Sequence, residues 1–337
     1  MMRPFVKILS IDGGGVRGII PALVMDNLQS RLPSGVSLAK QFNIITGTSA
    51  GGILTLLLTT PGDNGNPKYT TSFIATEIIT FSQTVFAKSI IQSIKSLWGL
   101  TAPSYSVTPL ETLLESYFGT AKLNQTITNV VVPAYEIEQQ ETILFENQDC
   151  FLKDVARATS AAPTYFSAAA VTTGSGTVYH CVDGGIAINN PTIAAMIRAF
   201  EIYKTKDIDF LIVSLGTGTE YKARTRKFNH LQVMAWGLVQ WATKILNLVM
   251  YAPMATVDYE VNSLLNTNQS QCYFRLQPVI EPEYDGMDDV SSTTLTALQN
   301  YATDLIKAND SDLDYIAKSL MSDTYIPHST VTRTVFN

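Results

Sequence analysis

The segment 42-FNIITGTSAGGILTLLLTT-60 consists of two apolar runs joined by a short polar centre. Its length suits a membrane span, but the central GTSAGG favours a buried strand, a tight turn and a buried helix. Residues 47–51 read G-x-S-x-G, the pattern of a nucleophile elbow. Gly47 and Gly51 remove side chains that would collide with a serine in that turn, and the following helix favours negative charge beside Ser49. We predict that Ser49 is a nucleophile; the alternative is a structural glycine turn with an incidental serine.

A second glycine-rich turn, IDGGGVRGII at 11–20, follows the apolar run FVKILSI. Residues 13–18 match G-x-G-x-x-G, so a dinucleotide-dependent oxidoreductase is one interpretation. Such a fold also needs an acidic residue about 20 residues further on, at the end of the next strand. The segment 31–42, RLPSGVSLAKQF, contains none. The serine elbow offers a different reason for exposed backbone N–H groups here, namely binding of a transient oxyanion.

A serine nucleophile needs a base, and the chain offers three histidines, His180, His230 and His328. Asp183 is the stronger candidate, because an apolar strand in VYHCVDGGIAINNP delivers it to a turn with two glycines. A buried carboxylate in contact with Ser49 could accept its proton directly. The alternative is an aspartate that only caps the turn. His180 lies three residues earlier and should face the other side of the sheet, so we expect a partly buried, hydrogen-bonded histidine outside the site.

Composition and periodicity predict an α/β fold. The 337 residues are 46% hydrophobic and 15% charged with net charge −6, which excludes wholesale disorder and disfavours nucleic acid as a partner. Apolar runs typical of buried strands alternate with amphipathic segments. We predict a three-layer sandwich, with a central, mostly parallel sheet and helices on both faces. We expect a single domain over 1–337, with a motif-bearing core at about 7–218 and a helical C-terminal part that forms a lid or membrane-facing element.

Together the motifs resemble those of patatin-like phospholipases. The resemblance rests on D-G-G-G-x-R-G at 12–18, G-T-S-A-G at 47–51 and D-G-G at 183–185, and is supported by ATSAAPTYF at 158–166, NNP at 189–191 and SLGTG at 214–218. It implies a lipid acyl hydrolase of the phospholipase A type that uses a Ser49–Asp183 dyad and needs no metal or cofactor. It also implies an oxyanion hole at Gly13, Gly14 and Gly15, with supporting roles for Arg17, Gly18, Gly47, Gly51 and Gly184. A non-catalytic lipid-binding or regulatory module on the same fold is the alternative.

Two further stretches could meet lipid. Residues 86–100 and 231–253 carry apolar side chains at helical spacing, which is typical both of core-facing helices and of interfacial ones. We expect a phospholipid or other acyl-lipid substrate, peripheral membrane contact, and an activating protein or ligand that the sequence does not identify. No Sec-type signal peptide or transmembrane segment is evident, and three cysteines without metal spacing suit a reducing compartment. A cytoplasmic location is expected, and export by a non-Sec route as an effector is equally compatible.

Overall fold

The secondary structure alternates between strands and helices along most of the chain. A computed structural model describes residues 3–87, 103–220, 238–265 and 272–327. Its strands are β1 (Phe5–Ile11), β2 (Ile44–Gly47), β3 (Asn129–Glu136), β4 (Glu141–Phe145), β5 (Ala169–Thr172), β6 (Val178–Asp183), β7 (Asp209–Leu215), β8 (Thr219–Glu220), β9 (Cys272–Leu276) and β10 (Val279–Ile280). Its helices are α1 (Ile19–Ser30), α2 (Ala50–Thr59), α3 (Thr71–Val85), α4 (Thr108–Phe118), α5 (Leu152–Thr159), α6 (Thr192–Tyr203), α7 (Leu238–Leu265), α8 (Ser292–Ala308) and α9 (Asp310–Leu320).

Eight of the described strands form the central sheet, in the order β5-β6-β3-β2-β1-β7-β9, with β4 also paired to β3. The pairs from β3 through β2, β1 and β7 to β9 are parallel. The pairs of β3 with β4, β3 with β6 and β5 with β6 are antiparallel. The sheet therefore has a parallel half, in which the carboxyl ends of β1, β2 and β7 lie at one edge. In its antiparallel half, β6 runs back along β3 toward that edge.

The side chains of β1 pack into two different buried clusters, which shows that both faces of the sheet are covered. Val6 and Ile8 pack into one buried cluster with residues of α6 and the end of α7. Leu9 and Ile11 pack into the other, larger cluster with residues of α1, α2, α3 and α8. Successive side chains of a strand point to opposite faces, so these are two distinct apolar layers. The predicted three-layer α/β sandwich with a mostly parallel sheet is confirmed.

The part of the chain after residue 218 is less uniformly helical than expected. It supplies α7, α8 and α9, but also β9, which pairs with β7 and extends the central sheet. Helix α7 continues past Pro253 to Leu265, with Met250 and Met254 buried and Leu248 40% exposed. None of the described helices is long and apolar enough to cross a bilayer. Of the predicted features, residues 88–100 and 231–237, His230 and His328 lie outside the described residues.

Candidate active site

Strands β2 and β6 bring Ser49 and Asp183 together. Strand β2 runs parallel to β3 and pairs with its first half, up to Thr46 opposite Val131. Strand β6 runs antiparallel to β3 and ends with Asp183 opposite Ala134. The carboxyl ends of the two strands thus approach each other along β3. Ser49, two residues beyond β2, donates a hydrogen bond from Oγ to Asp183 Oδ2 at 2.6 Å.

Ser49 occupies a strained turn between β2 and α2. Its φ of 55° and ψ of −124° lie in a region that non-glycine residues rarely adopt, and α2 begins at the next residue. The two flanking glycines make this turn possible. A Cβ on Gly47 would lie 2.1 Å from the carbonyl oxygen of Gly51, and a Cβ on Gly51 would lie 2.3 Å from that of Ile11. A side chain at either position would thus be excluded by neighbouring backbone carbonyl groups, and not by Ser49, with which the sequence pattern predicted the collision.

Thr159 supports the turn and was not singled out from the sequence. The Ser49 N–H donates to Thr159 Oγ1 at 3.0 Å, and the Thr159 hydroxyl donates to the carbonyl oxygen of Pro133 at 2.6 Å. Pro133 lies on β3 between the residues that pair with β2 and those that pair with β6. Thr159 therefore bridges the gap between the two strands. The only hint was its place in the segment 158–166, which carries the family resemblance.

Asp183 is completely buried. Its Oδ1 accepts the N–H of Gly185 at 2.7 Å, while Oδ2 accepts the hydroxyl of Ser49. Burial raises the pKa of Asp183 from 3.8 to about 7, although the hydrogen bonds from Ser49 and Gly185 oppose the rise. Gly184 lets the turn pass β3 closely, because a Cβ there would lie 2.3 Å from the carbonyl oxygen of Pro133. A carboxyl with this pKa can both accept and return a proton near neutral pH.

The glycine loop lies beside the serine. A Cβ on Gly13 would lie 3.1 Å from Ser49 Cβ. The N–H of Gly13 donates to the carbonyl oxygen of Asn189 at 3.2 Å, and its carbonyl oxygen accepts the hydroxyl of Thr217 at 2.8 Å. Gly13, the first of the three predicted oxyanion donors, thus uses its N–H to fix the loop. Asn189 and Thr217 come from segments that carry the resemblance, but their contacts were not predicted.

The next two glycines have N–H groups without an acceptor among the described residues. Gly15 has a φ of +59° and lines the same cavity as Ser49 and Asp183. The carbonyl oxygen of Gly14 accepts a hydrogen bond from Nε of the buried Arg17 at 3.3 Å. Gly18 lies against the elbow helix, where a Cβ would meet Ala50 Cβ at 3.3 Å. The loop therefore contains two backbone N–H groups without an acceptor among the described residues, and one of them belongs to Gly15 at the cavity that Ser49 lines.

Ser49 and Asp183 line an apolar cavity of about 580 Å³, including its open mouth. Most of the lining side chains are hydrophobic and include Ile53, Ile78, Phe81, Val85, Phe86 and Phe166. Two other serines reach it, but Ser82 donates to the carbonyl oxygen of Ile78 and Ser160 to that of Ala156. Ser49 is thus the lining serine whose hydroxyl donates to a carboxylate. A cavity with this predominantly apolar lining suits an apolar group of a ligand.

His180 lies away from this centre, as expected, but is more exposed than expected. Its side chain is 46% exposed, and Nδ1 lies 2.7 Å from Glu138 Oε1. Together with Glu136 these residues place three metal-ligand-type atoms within 4.8 Å of one another. Glu136 already accepts the N–H groups of Gln139 and His180, so this group is accounted for by contacts within the protein. The three cysteines are buried and free.

Comparison with known protein sequences agrees with the motifs. The family model described as patatin-like phospholipase matches residues 9–196, more than half of the chain. Patatin-like protein 2 of Arabidopsis thaliana is 34% identical over 314 residues, covering 81% of this chain and 75% of that protein. Patatin-like protein 4 of the same plant is 30% identical over 338 residues, covering 90% and 84%. The crystal structure of VipD from Legionella pneumophila covers 90% of this chain and 67% of its own, with a TM-score of 0.33 and 15% identity, values that add nothing to the assignment. On the sequence matches, the chain belongs to the patatin-like phospholipase family, a family of lipid acyl hydrolases.

Proposed function

We propose that this protein hydrolyses fatty-acyl esters of phospholipids, in the manner of a phospholipase A, through a dyad of Ser49 and Asp183. The observation that carries the proposal is the 2.6 Å hydrogen bond from Ser49 Oγ to Asp183 Oδ2 at the wall of an apolar cavity. The serine is on a strained elbow, where its hydroxyl is held ready for attack. The carboxylate has a pKa near neutral pH, which suits a general base.

The mechanism requires no histidine. Deprotonated Asp183 accepts the hydroxyl proton of Ser49 as Oγ attacks the ester carbonyl carbon, and the carbonyl oxygen becomes an oxyanion. Collapse of this intermediate expels the alcohol, to which Asp183 returns the proton, and leaves an acyl-serine. Water then repeats the sequence, with Asp183 taking its proton and Ser49 leaving as the alcohol. The N–H of Gly185 holds the other carboxylate oxygen, so Oδ2 stays directed at the reacting serine throughout.

The oxyanion is assigned to the N–H groups of Gly14 and Gly15. In a trans peptide the carbonyl and the following N–H point in opposite directions. Arg17 holds the Gly14 carbonyl and thereby fixes the direction of the Gly15 N–H. Loss of one such donor costs about 2.7–4 kcal/mol of transition-state stabilisation. Asn189 and Thr217 fix the neighbouring residue Gly13, which keeps the two donors in place without taking part in the reaction.

The oxyanion assignment is tested with Gly15→Ala. A Cβ at Gly15 would lie 2.1 Å from the carbonyl oxygen of Met287, so the loop must move. We expect a loss of hydrolysis of about 100-fold or more. Gly35→Ala is the matched control, because Gly35 also has positive φ but no atom within 4 Å of an added Cβ. Both variants carry the backbone strain of an alanine at positive φ. If Gly15→Ala nevertheless keeps the activity of Gly35→Ala and of wild type, the loop has no role in the mechanism.

The proposed substrate is an acyl lipid presented at a membrane surface. The apolar cavity beside Ser49 would hold the acyl chain while the ester carbonyl reaches the glycine loop. Peripheral membrane contact and an activating protein or ligand remain part of the proposal. The competing function is a non-catalytic lipid-binding module on the same fold, and the presence of serine, carboxylate and two vacant backbone donors in one place favours the enzyme.

The experiment is the release of free fatty acid from vesicles of a defined phospholipid. Ser49→Ala and Asp183→Asn should each abolish release while the proteins stay folded, and Ser263→Ala, at an exposed serine on α7, should behave as wild type. A fluorophosphonate probe should label Ser49 alone and not Ser82 or Ser160, as mapped by peptide mass spectrometry. Lipid binding by a wild-type protein that neither releases fatty acid nor takes up the probe would favour the binding module instead.

A further inference from the structure

Strand β9 places an arginine against the residue that begins the glycine loop. Arg275 Nη1 donates to Asp12 Oδ1 at 2.9 Å and Nη2 donates to Asp12 Oδ2 at 2.5 Å. Nη1 also donates to Ser214 Oγ at 2.9 Å. Asp12 is completely buried, and the Arg275 side chain is 12% exposed. This is a two-pronged ion pair of the kind that fixes geometry as well as charge.

Three neighbouring strands contribute to this contact. Ser214 of β7 is in register with Ser10 of β1 and with Arg275 of β9. Asp12 lies two residues beyond Ser10, on the same face of the sheet. Arg275 therefore reaches across β7 to the end of β1. The carbonyl oxygen of Leu215 also accepts the N–H of Asp12 at 3.0 Å, so the residue before Gly13 is held through both its backbone and its side chain.

The same face carries a second buried acid, which distinguishes this cluster from an isolated ion pair. Asp258 of α7 is 6% exposed, and its Oδ1 accepts the hydroxyl of Tyr273, two residues before Arg275 on β9. Helix α7 and strand β9 are thereby tied to each other and, through Arg275, to Asp12. Both elements lie outside residues 9–196, the part of the chain that the family model matches.

We propose that Arg275 is a positioning residue for ester hydrolysis: by holding Asp12 it fixes the glycine loop in the conformation that stabilises the oxyanion. This inference rests on the proposed function. It makes the C-terminal part of the chain an integral component of one catalytic domain and not an appended lid. Asp12 is bonded to Gly13, so a displacement of Asp12 would move the peptides that carry the two donors.

The charges explain why the pair matters to the loop. Removing one member of a buried pair leaves an uncompensated charge, and the remaining partner moves toward water. Whether one charge or both are removed, residue 12 loses its side-chain anchor and keeps its backbone hydrogen bond to Leu215, so the start of the loop can shift relative to Ser49. A displacement of about 1 Å at a catalytic group is enough to cost about 100-fold in rate. Lysine at position 275 would keep the positive charge. It would lack the planar guanidinium that binds both carboxylate oxygens of Asp12, so it would keep the geometry only in part.

The test measures affinity for a transition-state analogue. A long-chain trifluoromethyl ketone accepts Ser49 Oγ at its carbonyl carbon, its oxygen becomes the oxyanion, and Asp183 keeps the proton. The corresponding trifluoromethyl carbinol has the same chain but forms no oxyanion. The decisive protein is the double variant Asp12→Leu/Arg275→Met, which removes both charges, since apolar replacement of a buried pair is often neutral or stabilising.

We expect the double variant to lose about 100-fold in kcat and in affinity for the ketone, with KM and affinity for the carbinol within about threefold of wild type. Arg275→Lys should show smaller losses than the double variant, both in kcat and in affinity for the ketone. Arg31→Met is the matched control, because Arg31 joins α1 to the exposed Asp310 and Asp314 of α9 and such surface pairs contribute little.

A folded double variant that binds the ketone as tightly as wild type would overturn the inference. If that variant does not fold, Arg275→Lys decides: we expect weaker ketone binding with unchanged carbinol binding, and wild-type affinity for both would refute the role. A wild-type protein that neither hydrolyses ester nor binds the ketone would refute the proposed function itself, which separates the two failures.

Discussion

Replacing Asp183 with asparagine should make the protein more stable at alkaline pH while it abolishes hydrolysis. The carboxyl is completely buried and its pKa is about 7 instead of 3.8. Between these two pH values the folded protein keeps a proton that the unfolded chain has lost, so stability falls as pH rises through this window. Each pH unit costs about 1.36 kcal/mol. The wild-type carboxyl therefore costs about 4 kcal/mol above pH 7, and nothing below pH 4.

Asparagine avoids this cost because it carries no charge, and it can still contact both partners of the carboxylate. Its Oδ1 can accept the N–H of Gly185, and its Nδ2 can donate to Ser49 Oγ, which are the two partners of the present carboxylate. We expect Asp183→Asn to exceed wild type in free energy of unfolding by about 1–2 kcal/mol at pH 5 and about 4 kcal/mol at pH 8. Urea unfolding at a series of pH values measures this difference directly.

Asp304→Asn, at an exposed position of α8, controls for the loss of a negative charge and should change stability by less than about 0.5 kcal/mol. A difference between Asp183→Asn and wild type that does not vary with pH would refute the reasoning, because burial of an ionisable group is its sole source. Equal stability at pH 8 would show that water reaches the carboxylate in solution.

The remaining predictions concern rates and one further hydrogen bond. The hydrolysis rate of the wild-type protein should rise with pH to a plateau with a midpoint near 7, since Asp183 must be deprotonated to accept the serine proton. Met250→Ala should open the turn around Asp183 to water and lower that midpoint by about one pH unit, whereas Met254→Ala, equally buried on α7 but outside the cavity lining, should not move it. Thr159→Val should lower the rate and destabilise the protein by about 1–3 kcal/mol, measured by urea unfolding. Thr55→Val should be neutral or stabilising, because the buried Thr55 hydroxyl has no partner among the described residues.

Local chemistry explains why the central elements could be predicted. The apolar run at residues 5–11 coincides with β1, and the strand, turn and helix predicted within residues 42–60 are β2, the turn at Ser49 and α2. Buried parallel strands are continuous apolar runs, and a G-x-S-x-G turn between strand and helix has few alternatives. Strand β9 was not predicted, because its five residues include Tyr273 and Arg275, which are not typical of a buried parallel strand.

The supporting contacts could not be predicted, since each joins residues that are far apart in the chain. Thr159 is 110 residues from Ser49, and Arg275 is 263 residues from Asp12. Neither residue type is unusual at its position, and an arginine in a strand commonly points to solvent. The expectation that three glycines act alike also came from the motif. Only the fold distinguishes Gly13, whose N–H binds Asn189, from the two that follow.

The α/β class, the elbow at Ser49, the glycine loop and the candidate base at Asp183 follow from the sequence, because each depends on residues that are adjacent in the chain. Their relative positions depend on tertiary packing. Strands β2 and β6 run toward each other along β3, which brings the serine hydroxyl within 2.6 Å of the carboxylate. Burial at that meeting point raises the pKa of Asp183, and β9 supplies the cation that pairs with Asp12. Distance, burial and charge compensation are properties of packed elements, and no local pattern of residues encodes them.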